Sequence, residues 1–149
     1  MKKVSFLLVL FWSVASVYGQ EKYYSLQECD NDPLSYIEKN YQDNKEKYIG
    51  KKAGLFFDEY ELKVDRFFPG PVYPDSITKP MEKTESLHFK THSNNYIYSV
   101  MLYFAPPYLS YREALDLEGD YEPDWGPKFY EFYKDAIIRE IYILKENAE

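Results

Sequence analysis

Chemistry that depends on cysteine, histidine or glycine has little to work with in this chain. Cys29 is the only cysteine among 149 residues, so no intramolecular disulfide can form. A small extracellular module built on disulfides is thereby excluded, and an exported domain without them fits a bacterial envelope better. Leu26-Gln27-Glu28 precede that cysteine and put bulky, polar residues where a lipoprotein processing site needs small ones, so no lipid anchor is expected. The thiol itself is expected to be an inert, buried or half-buried group. None of the six glycines falls in a G-x-G-x-x-G or Walker-type arrangement, so a nucleotide phosphate has no cradle. Basic residues are outnumbered, 18 Lys and Arg against 25 Asp and Glu, for a formal charge of −7. That balance argues against nucleic acid, which needs clustered cations, and against adhesion to anionic lipid.

Long apolar runs are also scarce, and the first has a special character. Lys2 and Lys3 lead into an apolar segment from Val4 to Val14, and Val17-Tyr18-Gly19 then supplies compact residues. These are the three parts of a secretory signal peptide, with an apolar segment too short to span a bilayer. Cleavage is expected between Gly19 and Gln20. It removes Lys2 and Lys3 and no acid, taking the formal charge from −7 to −9. Residues 20–149 are expected to form one small soluble domain with no further membrane insertion, large enough to bury roughly two thirds of its unfolded surface. The layout is similar to that of exported bacterial envelope proteins, a likeness of composition that carries no motif.

The other long apolar run, Tyr96 to Ala105, holds no charge. Bounded by His92-Ser93-Asn94-Asn95 and Pro106-Pro107, it reads as a central strand covered on both faces. Before it, Leu87, Phe89 and Thr91 alternate with His88, Lys90 and His92, which makes an antiparallel hairpin with a loop of about four residues. Asp32-Pro33 marks a helix start. Leu34, Ile37, Tyr41 and Tyr48 share one face of that helix, and Gly50 ends it, giving an amphipathic helix over 33–48. Leu55-Phe56-Phe57 suggests a short helical turn. Tyr60, Leu62 and Val64 alternate with charged residues as in a half-buried strand, continued by Phe67-Phe68 until Pro69-Gly70-Pro71 breaks it. From there to Glu85 the chain reads as an irregular surface loop. Ser110-Tyr111-Arg112-Glu113 is a capping box for a short helix ending near Gly119. The last segment reads either as one helix or as a short helix, Pro127 to about Lys134, followed by a closing strand from Ala136 to Leu144. The β-branched isoleucines favour the strand. The expected fold is α+β: an N-terminal helix, three to four mainly antiparallel strands around a central hairpin, and short C-terminal helices on one face.

Three kinds of chemistry are weighed on this frame. His88 and His92 lie about 13 Å apart on a strand, too far to share a metal. Asp116, Glu118, Asp120, Glu122 and Asp124 form an acidic series that could offer oxygens to calcium. The EF-hand pattern fails there, since Gly119 is misplaced and Pro127 stands where the bidentate Glu belongs. Asp116, Glu118 and Asp120 remain the metal candidates, and no other cofactor is implied. No G-x-S-x-G and no Cys-His context nominates a nucleophile. Paired carboxylates leave an enzyme acting on an envelope polymer or glycan as an alternative.

The remaining feature is the aromatic load, with seventeen tyrosines. Tyr36, Tyr41, Tyr48, Tyr60, Tyr96, Tyr98 and Tyr103 are expected to finish the core with their hydroxyls wet. Tyr73, Tyr108, Tyr111 and Tyr121, with Trp125, stand beside prolines or acids in loops and are the candidate binding residues. The expected function is a non-catalytic binding or structural module, secreted or periplasmic, with a protein or glycan partner. A calcium-stabilised module is the other alternative.

Overall fold

The computed structural model describes residues 22–74, 80–93, 96–119 and 126–148. The expected leader, residues 1–19, lies outside them. Local sequence signals set the first elements. Asp32 accepts hydrogen bonds from the N–H groups of Leu34 and Ser35 and caps α1 (Pro33–Ile37), with Pro33 in the first turn. The helix does not run unbroken to residue 48 as expected. It widens into a π-helical stretch, Glu38–Asp43, and closes with a 3-10 turn, Lys45–Lys47. Tyr36, Ile37, Asn40 and Tyr41 all face inward, at the spacing of one helix face. Gly50 then takes a positive φ of 75°, the left-handed conformation that ends helices and that glycine adopts at no steric cost.

The short helix α2 (Ala53–Glu59) follows, and its Phe56 and Phe57 are buried. Tyr60, Leu62 and Val64 are buried in alternation as expected, yet the sheet ladder begins only at β1 (Arg66–Pro71). Pro69-Gly70-Pro71 therefore belongs to a strand and does not break it. The reason is position: β1 is an edge strand, where a proline without an N–H is tolerated, and a register shift lies at Gly70/Pro71. β2 (Lys83–Ser93) and β3 (Tyr96–Phe104) form the hairpin. Ser93 pairs with Tyr96, so two residues separate the strands where about four were expected. β4 (Leu109–Ser110) adds to β2 beyond the end of β3. Ser110 Oγ accepts from the Glu113 N–H at 3.3 Å and so starts α3 (Tyr111–Gly119). α4 (Pro127–Tyr133) and β5 (Ile138–Asn147) complete the chain. The closing strand is thus present and reaches past Leu144.

The sheet is antiparallel, in the order β1-β2-β3-β5, with β4 also on β2. Its helix-facing side carries Phe67, Leu87, Phe89, Tyr98, Val100, Leu102 and Ile141, all buried. Phe56 meets Phe89 and Phe67 meets Phe129 edge to face, and Phe104 meets Tyr133 at a tilt, with ring centroids 4.6–5.8 Å apart, within the range at which aromatic rings attract. Cys29 is buried in the same core, as expected for an inert thiol.

The core tyrosines correct one expectation. Tyr36, Tyr41, Tyr48, Tyr60 and Tyr98 are buried, and most of their hydroxyls are bonded inside the protein. Tyr36 donates to the Glu59 carbonyl at 2.6 Å and accepts from the Glu61 N–H at 2.9 Å. Its oxygen lies 2.8 Å from that of Tyr41. Tyr48 donates to the Glu59 carboxylate at 2.8 Å, and Lys47 binds both oxygens of that carboxylate at 2.7 Å. Tyr96 and Tyr103 are the exceptions, one exposed and one half-buried.

Candidate functional site

The strand ends bring several of the expected binding residues to one end of the sheet. Val72 donates its N–H to the Lys83 carbonyl at 2.8 Å, just past β1, and Tyr111 donates its N–H to the Glu82 carbonyl at 3.0 Å, at the start of α3. The stretch 82–83 therefore runs between the segment bearing Tyr73 and the segment bearing Tyr108 and Tyr111. Val72, Pro74, Pro80, Glu82 and Lys83 line a cleft of about 230 Å³. That is smaller than sites enclosing drug-sized ligands, about 300 Å³ and upward, and suits one ring or one side chain of a larger partner. Tyr73 beside it is 73 % exposed and Met81 43 %. Tyr108 and Tyr111 are half-buried and are not among the residues lining the cleft. Tyr121 and Trp125 lie outside the described residues.

The metal candidates do not come together in the same way. Asp116 and Glu118 sit on α3, not on a loop. Asp120, Glu122 and Asp124 lie outside the described residues. Among the described residues no group of three or more potential ligands is found.

Against the expected cover on both faces, the central strand β3 is covered on one face only among the described residues. Its other side, Ile97, Met101 and Tyr103, is half-buried, and its neighbours there are more exposed still: Phe68 at 36 %, Tyr142 at 46 % and Leu144 at 50 %. The register aligns Phe68, His88, Met101 and Tyr142 in one row across four strands. The next row is Gly70, Ser86, Tyr103 and Glu140, and on the other side lie Arg66, Lys90, Ser99 and Leu144. The signal for this face was in the sequence, since strictly alternating Ser99, Met101 and Tyr103 are less apolar than Val100, Leu102 and Phe104. The absence of charge from the whole run masked it.

On this face Ser86 Oγ and His88 Nε2 are 3.0 Å apart, the reach of a nucleophile and its base. Burial holds the His88 imidazole below its usual pKa, which leaves it neutral and able to accept a proton. Access decides against catalysis: Ser86 is only 3 % exposed. Gly70 covers it so closely that a Cβ there would overlap the hydroxyl. The phenols of Tyr23, Tyr41 and Tyr48 are likewise unsuited to act as bases, because burial raises them far above the usual phenol range. Comparison with protein-family models, curated proteins and solved structures finds no match. Among the described residues no helix is long and apolar enough to cross a membrane.

Proposed function

We propose that this protein is an exported, non-catalytic binding module of the bacterial cell envelope, secreted or periplasmic, which holds a protein or glycan partner at the loop end of its sheet. One observation carries the reading: Tyr73 and Met81 are both exposed and each stands in the chain between two residues, Val72 and Pro74 or Pro80 and Glu82, that line a small cleft together with Lys83. An exposed aromatic ring next in sequence to the cleft residues offers a stacking surface, and Glu82 and Lys83 supply both signs of charge for orientation. Two of the lining residues are joined by a backbone bond, from the Val72 N–H to the Lys83 carbonyl, and the carbonyl of a third, Glu82, accepts from the Tyr111 N–H, which lowers the ordering cost of binding.

The test has two arms. N-terminal sequencing of the exported protein should find Gln20 first; retention of residues 1–19 would remove the export part of the reading. Binding of the purified chain to envelope glycans and to cross-linkable envelope proteins should then fall at least tenfold in the double variant Tyr73→Ala/Met81→Ala. Its melting temperature should stay nearly unchanged, because both side chains are exposed. Equal binding by the variant would remove the cleft from the reading.

A further inference from the structure

We infer that the helix-free face of the sheet is the interface of a two-fold homodimer, in which two copies pack sheet to sheet. The surface involved is not the cleft, and the inference is independent of the binding role proposed above. Three features of the face point to a second copy.

The first is charge. The β1–β2 half of the face carries Arg66 and Lys90, and the β5 edge carries Glu140 and Glu146. A two-fold axis lying in the interface, parallel to the strands and between β2 and β3, places β1 over the partner's β5 and β2 over the partner's β3. In the rows given above this sets Arg66 over Leu144 of the second copy, one face position along β5 from its Glu146, so cation and anion meet diagonally across the seam, while Arg139 of the same edge is turned onto the Tyr103 ring at 6.0 Å. Lys90 already approaches Glu146 of its own chain at 3.9 Å, which shows that these side chains lean across the face.

The second is shape. The same operation sets Phe68 over Tyr142 of the second copy and His88 over its Met101. The small pair Gly70 and Ser86 lies opposite the large side chains of Tyr103 and Glu140. A surface with a shallow side and a raised side fits itself when rotated, and side chains from two such sheets interdigitate across about 10 Å.

The third is area. Four strands about 4.8 Å apart and about seven residues long give roughly 450 Å² per face in projection. Two faces remove about 900 Å² before side-chain relief is counted, close to the ~1,000 Å² at which specific interfaces begin.

Sedimentation of the purified chain over a wide concentration range should show a reversible dimer. Tyr142→Lys should weaken it at least about 100-fold, the effect of losing an aromatic anchor. Far-UV circular dichroism should be retained, and Leu144→Lys serves as a second variant should the first fail to fold. Leu55→Lys, on the helical side, should leave the dimer intact. Register is read by cross-linking. Chains carrying Phe68→Cys and Tyr142→Cys, mixed and treated with a bis-maleimide of about 10 Å span, should join to each other and neither to itself. The native Cys29 is 1 % exposed and stays out of the reaction. A monomer at every concentration would overturn the inference and leave the face to another occupant. A dimer that links Tyr142→Cys to itself would overturn it equally, because that is the pattern of edge-to-edge pairing through β5.

Discussion

At the scale of single residues, Asn40 does more than its position on a helix suggests. It is 1 % exposed, and its amide holds the backbone of the N-terminal arm from both sides. Nδ2 donates to the Tyr24 carbonyl at 2.8 Å, and Oδ1 accepts from the Tyr24 N–H at 2.9 Å. Nδ2 also reaches the Tyr36 carbonyl at 3.1 Å. Replacing it with leucine leaves these groups without partners, so Asn40→Leu should cost about 2–3 kcal/mol in urea denaturation and hasten proteolysis before residue 30. A second residue-scale prediction concerns pH. Burial keeps the His88 imidazole below its usual value near 6.5. The unfolded chain therefore takes up the proton first, and stability is lost as pH falls through 6.5 toward the folded value, below which the loss levels off. His88→Gln should flatten the fall in urea midpoint between pH 7.5 and 5. Asp65 acts in a separate, lower window. Burial pushes its carboxyl up, but bonds from the ring and backbone N–H of His92 prevail and hold it below its ordinary value. Its contribution is intact above about pH 3.9 and is lost only as pH falls further.

At the scale of elements, Gly70 makes the edge strand possible in its observed place. A Cβ at that position overlaps the Ser86 hydroxyl and crowds His88 Nε2 at 3.3 Å. Gly70→Ala should therefore destabilise by about 1–3 kcal/mol, and adding Ser86→Ala should recover most of the loss; simple additivity in a double-mutant cycle would refute the steric account. Legibility in the sequence followed the range of the forces involved. Asp32, Pro33, Gly50 and Ser110 act on their own neighbours, so helix starts and stops could be read directly. The β-branched run Ile137 to Ile143 made the closing strand legible for the same reason. The π-helical stretch has no local sequence signal, and its Asn40 meets Tyr24, sixteen residues away. Pro69 inside a strand is comprehensible only once β1 is known to be an edge. The open face was hidden because Ile97, Met101 and Tyr103 have the same character whether a strand is covered on one side or two. At the candidate cleft, the proline-flanked Tyr73 was legible, but Met81, Glu82 and Lys83 join it only through the pairing of 72 with 83.

At the scale of the whole molecule, the fold is closed by its last strand. β5 pairs along the full length of β3, from Tyr96 opposite Asn147 to Phe104 opposite Ile138. Its beginning also receives the chain end of the helical region, through Gly50 N–H to the Ile138 carbonyl at 2.8 Å and Ile138 N–H to the Lys51 carbonyl at 2.9 Å. Truncation after Asp135 removes the strand that buries one side of β3, together with Ile138 and Ile141, and should abolish cooperative unfolding in a thermal melt. A mixture of residues 1–135 with a synthetic 136–149 peptide should restore part of it. The pairing also fixes an order of events. Until the final fourteen residues are available, the central strand lacks a neighbour and the helical layer lacks its tie to the sheet. Were the chain exported as proposed, it would enter a narrow channel N-terminus first with no finished structure to jam the passage, and the sheet would close once β5 had come through.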